Sequence, residues 1–483
     1  MASITKNFIY NSAITASGYI FPIIVYPYIS RILGVSNIGI CNFIDSIINY
    51  FIILSSMGIV TVGIREVAKH RNDSSNLNRI FSNLILLNGA LTIFSLLLLL
   101  LLTHTLPQLY QHKELMYIGI LKLFGNLFLL EWLYSGLEEF RYISIRTILV
   151  KVLYVILVFV LVREKDDYHI YFLLTCGTYI INATINLLYS RRFTCFTLKG
   201  YKPLFFIKPV IVLGAYSLLT SIYTTFNTVF LGFVSTTCEV GYYSTSMKLF
   251  SVIIGFYTAF TTVMLPRMSS LATSRDIESF HALSNRAIDA LLMISAPIII
   301  LTIIYSDDIV YIIAGKGYEG AVTPMRIIMP LIFVIGYSQI LVVQILTALK
   351  HDKAILTNSI IGAIIGIGLN IVLVPIYKAT GSAIVWLMSE LFVMSSAQHF
   401  VTKYTNIHFP LRLLVKNTLA FTPSILICGL IKHLLPNMFC VWQVATGASA
   451  VLLNIFVAQN YYLRNPLFIS LQDRTLNWIK SRV

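Results

Sequence analysis

Residues 39–65 read GICNFIDSIINYFIILSSMGIVTVGIR, and residues 241–267 read GYYSTSMKLFSVIIGFYTAFTTVMLPR. Each stretch opens on a glycine, runs through an apolar segment and closes on an arginine. Gly39 and Gly241 are 202 positions apart, as are Arg65 and Arg267. Either stretch, as a helix, is long enough to cross a hydrocarbon layer of about 30 Å. They are the second and eighth of fourteen apolar runs, the first near 9–32 and the last near 440–462. Six spans is an even number, so both copies would enter a membrane in the same direction. That is a parallel repeat about an axis along the membrane normal, a recurring plan of secondary transporters. A second echo has an offset of 212. Gly136-Leu-Glu-Glu-Phe-Arg141, after span four, aligns with Ala348-Leu-Lys-His-Asp-Lys353, after span ten.

Composition agrees with a chain that lives in a bilayer. Hydrophobic residues make up 57% and charged residues 11%, where a soluble domain carries about a quarter charged residues. Mean hydropathy is +0.81. The net charge of +15 forms no basic stripe and no DNA-binding module, so nucleic acid is not an expected partner. Lys and Arg gather instead on one side. With the N-terminus inside, 24 of the 35 fall in inner connections and eight in outer ones. The remaining three, Lys122, Lys151 and Lys248, lie within spans. This asymmetry predicts both termini in the cytoplasm. The first run, starting near Asn7, is too long for a signal-peptide core and reads as a retained span.

The fold class expected is therefore all-α and polytopic, with about fourteen transmembrane helices. An N-terminal lobe of spans one to six covers 1–190, and a basic cytoplasmic linker covers 191–208. A second lobe, spans seven to twelve, covers 209–402. Spans 13 and 14 with a cytoplasmic tail occupy 403–483. The six cysteines have no C-x-x-C spacing and read as small apolar residues. No metal site or cofactor is expected. Motifs of soluble enzymes are missing, and Gly315-Lys316-Gly317 lacks the spacing and the following Ser or Thr of a phosphate loop.

Ionisable groups within spans carry the functional signal, because each is costly in hydrocarbon unless it meets a partner or water. Asn42, Asp45, Ser46 and Asn49 fall at i, i+3, i+4 and i+7 on span two, one polar stripe on an apolar helix. Shifted by 202, the stripe lands on Ser244, Met247, Lys248 and Ser251 of span eight. Gly255, Thr258 and Thr262 continue that stripe at helical spacing. Span seven adds Ser217, Ser221, Thr224 and Thr228. A central cleft between spans one, two, seven and eight would thus set an acidic stripe against a basic one. The alternative is that Asp45 and Lys248 form an interhelical pair that fixes packing. Lys122 and Glu131, nine residues apart on span four, would face opposite ways. Lys151 reads equally well as a snorkelling side chain. Asp289 and Glu390 are candidate proton or cation sites, although Asp289 lies close enough to the inner edge for an interfacial role.

Several of these segments resemble bacterial polysaccharide flippases of the multidrug/oligosaccharidyl-lipid/polysaccharide superfamily, the O-antigen and capsule repeat-unit exporters. Ser30-Arg31-Ile-Leu-Gly34 looks like that family's signature after its first span, and Gly63-Ile-Arg65-Glu66-Val-Ala68 like the motif after its second. Trp132-Leu-Tyr-Ser-Gly136-Leu-Glu138-Glu-Phe-Arg141-Tyr142-Ile-Ser-Ile-Arg146 is similar to the fourth-loop segment, with Ser135 in place of Gln. Leu265-Pro266-Arg267 fits the equivalent of Arg65 in the second lobe. The resemblance runs through essentially the whole chain. It implies a two-lobed fold like that of the multidrug exporters (MATE-like) in a bacterial inner membrane. It also implies alternating-access export of an undecaprenyl-diphosphate-linked oligosaccharide, with a polysaccharide polymerase and a chain-length regulator as candidate partners. A diphosphate would need cations, for which Lys248, Lys122 and Arg31 are candidates, while hydroxyls and amides suit sugars. Arg65 and Arg267 would anchor span ends or gate the inner mouth. A cation-coupled antiporter would share the fold but should have a more acidic cleft. A membrane polymerase or glycosyltransferase should show a long outer loop or a clustered catalytic motif.

Overall fold

A computed structural model describes residues 4–197, 202–274, 276–436, 438–465, 468, 469 and 472. Five of the cations counted above, Lys199, Arg275, Arg474, Lys480 and Arg482, lie outside the described residues, as do the side chains of Lys6 and Thr262. The described residues form helices and connecting turns only. By contact the chain divides into two compact units, Met1–Ser244 and Thr245–Val483.

The first unit holds α1 (Ile4–Ser56), α2 (Ile59–His70), α3 (Ser74–Thr105), α4 (Lys113–Leu127), α5 (Glu131–Gly136), α6 (Phe140–Leu161), α7 (Tyr168–Ser190), α8 (Ile207–Thr224) and α9 (Phe226–Val234). The helix α10 (Thr237–Ser274) begins in it and continues into the second unit. There follow α11 (Ile277–Ile304), α12 (Ser306–Ala314), α13 (Val322–Ile328), α14 (Leu331–Gln339), α15 (Asp352–Thr405), α16 (Leu411–Ala420), α17 (Thr422–Leu434) and α18 (Cys440–Val457).

Among the described residues, eleven helical segments are long and apolar enough to cross a membrane. The difference from fourteen has identifiable causes. Expected spans one and two run together as α1, which bends at Gly34, where φ is 73° and ψ 169°, a conformation glycine adopts without steric cost. Spans eleven and twelve run together as α15, which bends at Lys378, where φ is 51° and ψ −124°. Span eight lies in α10, which is not one of the eleven and has several side chains outside the described residues. Other spans are interrupted. Leu130 takes a left-handed conformation between α4 and α5, and span seven breaks at Thr225 between α8 and α9. Thr228 therefore stands on a different helix from Ser217, Ser221 and Thr224. The opposite facing of Lys122 and Glu131, which assumed one continuous helix, does not hold as derived.

Backbone bonds repeat at the 212-residue offset. At the end of α5, the Glu139 N–H donates to Tyr134 O at 2.9 Å and the Glu138 N–H to Ser135 O at 3.2 Å. At the 212-residue offset, the His351 N–H donates to Leu346 O at 2.9 Å and the Lys350 N–H to Thr347 O at 3.1 Å. Both sets are the paired 6→1 and 5→2 bonds of a Schellman helix end. The left-handed residue each requires is Glu138 (φ 63°) in one and Lys350 (φ 59°) in the other. Helix starts repeat as well. The Asp73 carboxylate accepts from the N–H groups of Ser75 and Asn76 at 3.1 Å to cap α3, and Asp276 accepts from Ser279 N–H at 3.1 Å to cap α11. Such caps satisfy amides that the first helical turn leaves open. The backbone bonds, from Asn76 and Ser279 respectively, hold both carboxyls below the usual carboxylate range.

Within the first unit the core gathers Val62, Val67, Phe81, Leu84, Trp132, Leu133 and Val210, packing α2 and α5 against α3 and α8. In the second, Leu291, Tyr337, Leu341, Ile345 and Ala397 belong to the main cluster. There Tyr337 Oη donates to Gln398 Oε1 at 2.6 Å. A smaller cluster of Tyr305, Cys428 and Val451 ties α17 and α18 to the end of α11. Lys432 reinforces it by donating to Ile304 O at 2.7 Å and to the Asp307 carboxylate.

The two glycines that opened the sequence reading meet. A Cβ on Gly39 would lie 1.8 Å from the carbonyl oxygen of Thr237, and one on Gly241 2.3 Å from that of Val35. Thr237 precedes Gly241 by four residues and Val35 precedes Gly39 by four, so the contact is reciprocal. Ser36 Oγ and Thr237 Oγ1 share a hydrogen bond of 2.8 Å beside it. Main chain lies on main chain here, as in small-residue helix contacts of membranes. We expect Gly39→Ala to destabilise the purified protein by about 1–3 kcal/mol, the usual cost of overpacking, measured by thermal unfolding in detergent. Gly89→Ala, with nothing within 4 Å of the added carbon, should leave the midpoint unchanged or slightly raised.

Candidate functional site

The stripe on α1 does not end in solvent. Asp45 Oδ1 accepts from Lys122 Nζ of α4 at 2.5 Å, and Asp45 Oδ2 accepts from Asn49 Nδ2 at 3.0 Å. Lys122 Nζ also donates to Asn49 Oδ1 at 2.9 Å and lies 5.0 Å from the ring centroid of Tyr179 on α7. The side chain of Lys122 is 4% exposed and that of Asp45 30%. The ammonium is therefore neutralised, twice hydrogen-bonded and set over an aromatic face, which is how a buried charge becomes tolerable. The structure gives Asp45 its cation from the same half of the chain, in Lys122. Lys248 is exposed on α10.

A second group of charges stands nearer the Glu138 end of the same unit. Glu131 Oε1 accepts from Arg146 Nη2 of α6 at 3.3 Å, with the Glu131 side chain 52% exposed and that of Arg146 4%. Lys151, further along α6, donates to Ser17 Oγ of α1 at 3.0 Å. Among the described residues, no carboxylate lies within salt-bridge reach of Lys151. Lys122, Arg146 and Lys151 thus face only Asp45 and Glu131 among those residues, leaving one positive charge in excess. An ionised carboxylate exposed at membrane depth must face water or a polar ligand rather than lipid. Tyr179, Arg146 and Ser17 belong to this site yet carry no sign of it in the sequence, and Lys151 reads there equally well as a snorkelling residue.

The hydroxyl and amide groups of the stripes mostly bond to their own helices. Asn42 Nδ2 donates to Ile38 O at 2.9 Å, Ser46 Oγ to Asn42 O at 2.8 Å, and Ser251 Oγ to Met247 O at 2.8 Å. Ser217 Oγ donates to Leu213 O at 3.3 Å and Ser221 Oγ to Leu218 O at 2.7 Å. Tyr50 Oη donates to Ser221 O at 2.7 Å, joining α1 to α8. Oγ donors so used keep spare acceptor lone pairs. Among the described residues, the Ser244 Oγ is buried without a partner. Arg31 is exposed, with Nη1 donating to Pro27 O at 2.6 Å. Arg65 and Lys69 both pair with Glu66 at 3.1 Å; Arg267 is exposed, Asp289 half-buried and Glu390 buried. Gly315 and Gly317 both have φ 87° and form a turn after α12. All six cysteines are free, and among the described residues no cluster of three or more His, Cys, Asp or Glu side chains could hold a metal.

A bundle of apolar helices with an ionic interior describes a multi-pass membrane protein of the transporter class. The chain belongs to the polysaccharide biosynthesis protein family, whose model matches residues 4–272. It is 24% identical over 406 residues to a "Putative O-antigen transporter" of Escherichia coli (strain K12), an alignment covering 83% of this chain and 97% of that one. Its fold is that of a solved lipid II flippase, MurJ, in an inward closed conformation. That likeness has a TM-score of 0.77 at 15% identity and covers 95% of this chain and 99% of that one. An inward-facing multidrug resistance MATE family transporter of the MOP superfamily matches at a TM-score of 0.57 and 14% identity, over 86% and 96% of the chains. The expected MATE-like fold is thereby shown, and the family is that of the polysaccharide biosynthesis proteins.

Removing one member of a buried ion pair typically costs about 3–5 kcal/mol, because it strands the other; the partial exposure of Asp45 lowers that figure. Asp45→Ala should therefore destabilise the protein by about 2–4 kcal/mol. The Asp45→Ala, Lys122→Met double variant should recover at least half the loss in a thermal-unfolding double-mutant cycle. Additive losses would show that the two side chains do not act as a pair.

Proposed function

We propose that this protein flips a lipid-linked oligosaccharide across the bacterial inner membrane for surface polysaccharide assembly. The observation that carries the proposal is the excess positive charge at membrane depth in the first unit, centred on Lys151. An ionisable residue at that depth marks a substrate or ion path by default, and a cation there suits an anionic cargo. A diphosphate carries that charge, and hydroxyl-bearing stripes suit the attached sugars. Membership of the polysaccharide biosynthesis family and the name of the E. coli relative support this substrate class. Undecaprenyl diphosphate is the carrier that the resemblance implies.

In this reading the head group enters from the cytoplasm, the side on which the Lys and Arg bias predicts both termini, and leaves on the periplasmic side by alternating access. The lobes would be 1–190 and 209–402, joined by 191–208, with 403–483 appended. Lys151, Lys248 and Arg31 would receive the diphosphate. Lys122, already neutralised by Asp45, would set the local potential rather than bind directly. Asn42, Asn49, Ser46, Ser217, Ser221, Ser244 and Ser251 would line the sugar path. Asp289 and Glu390 are the carboxyls available for ion coupling, and Arg65 and Arg267 for holding the inner mouth. A polymerase and a chain-length regulator would act on the product.

Deletion in the native host should abolish the surface glycan and cause the lipid-linked intermediate to accumulate on the cytoplasmic side. Intact glycan in a strain without a second exporter would sink the reading. Lys151→Ala and Lys248→Ala should each lower complementation roughly tenfold or more, the scale of one charge-assisted hydrogen bond, at unchanged membrane abundance. Full complementation by either variant would remove that lysine from the substrate path.

A further inference from the structure

On the first unit, a groove of about 480 Å³ opens between the start of α6 and the end of α7. Its lining divides by chemistry. Ile145, Leu149 and Ile185 supply an apolar wall, and all three are substantially exposed, Leu149 at 63%. Tyr142 and Tyr189, stacked with centroids 3.7 Å apart and planes 13° from parallel, form an aromatic wall. Arg141 and Arg146 stand against Glu139. The guanidinium carbon of Arg146 lies 5.9 Å from the Tyr142 centroid and that of Arg192 lies 5.1 Å from the Tyr189 centroid. The aromatic pair is thus bracketed by cations.

Arg146 is the unusual member. It is 5% exposed, and only its Nη2 is used, bonding to Glu131 and, at 3.0 Å, to Thr147 Oγ1. Among the described residues, its Nε and Nη1 are buried with no hydrogen-bond partner. A buried guanidinium with two open nitrogens costs several kcal/mol unless something accepts from them. Glu131 satisfies the charge but not the three N–H groups on those two nitrogens. An acceptor rich in oxygen and anionic, reached from the bilayer along an apolar wall, fits what is missing.

We propose that this groove is a binding site for an anionic phospholipid of the surrounding leaflet. Its phosphate accepts from Arg146 and Arg141, its glycerol backbone rests against Tyr142 and Tyr189, and an acyl chain runs along Ile145, Leu149 and Ile185. Basic pockets between membrane helices recognise lipid phosphates in this way, while interfacial tyrosines sit at head-group depth. The groove shares Arg146 with the charge group of Glu131, but it does not include Lys151 and does not depend on what the protein transports. Its occupation would fix the α6–α7 seam at the end where the Schellman turn lies.

Native mass spectrometry of the full-length protein tests this with three probes: phosphatidylglycerol, phosphatidylcholine and inorganic phosphate. Phosphatidylglycerol should be retained at least about fivefold more tightly than phosphatidylcholine, the scale of roughly one surface cation. Arg141→Gln, an exposed position expected to fold normally, should reduce that preference about threefold or more. Arg146→Gln should abolish it. Leu149→Trp should weaken lipid retention while leaving any binding of inorganic phosphate unchanged. Equal retention of the two lipids would overturn the proposal. An undiminished preference in both Arg141→Gln and Leu149→Trp would do the same, as would binding of inorganic phosphate without lipid.

Discussion

Two helices can cross with their backbones touching only where neither has a side chain at the crossing point. Gly39 and Gly241 provide that point, each set against the carbonyl that lies four residues before the other. Much of the first unit follows from this reciprocal contact. It fixes the height of α1 after its bend at Gly34, and so places Asp45 and Asn49 opposite Lys122 on α4. It also fixes the start of α10, from which the second polar stripe departs. No other residue could stand at either place without separating the helices, because even one added carbon would overlap the opposing main chain.

Charge is handled by a second constraint. In the middle of a bilayer an ammonium needs a counter-ion, acceptors for its protons and shielding from lipid. Lys122 has all three in Asp45, Asn49 and Tyr179, and is silent. Lys151 has an acceptor in Ser17 and, among the described residues, no carboxylate in direct ion-pair contact. The contrast between the two lysines separates a structural charge from one held ready for a visiting anion, though the two look alike in a hydropathy trace.

How much of this could be read from the sequence depended on whether the signal was local. The repeat was legible because glycines at close crossings and cations at span ends occupy fixed positions along the chain. The 212-residue echo between Gly136–Arg141 and Ala348–Lys353 corresponds to the same set of backbone hydrogen bonds. Partners were not legible. Asp45 finds Lys122 through the packing of α1 on α4, 77 residues apart, and spacing alone suggested Lys248 instead. The breaks at Leu130 and Thr225 were missed for another reason: neither position carries glycine or proline, and both lie inside apolar runs. Neither residue type marks a break in the local sequence. Arg146 was counted as a loop cation, since nothing in its immediate sequence shows that it would be buried.

The left-handed residues Glu138 and Lys350 bear on how two matching segments come to differ. The same turn occurs in both segments, held by backbone bonds that do not involve the side chain. One copy projects an acid there and the other a base. Two identical halves would carry the same charge at every matching position. Positions where the main chain is fixed and the side chain is free let the halves diverge in polarity without refolding. In this protein, symmetry of architecture and asymmetry of charge therefore reside in the same turn.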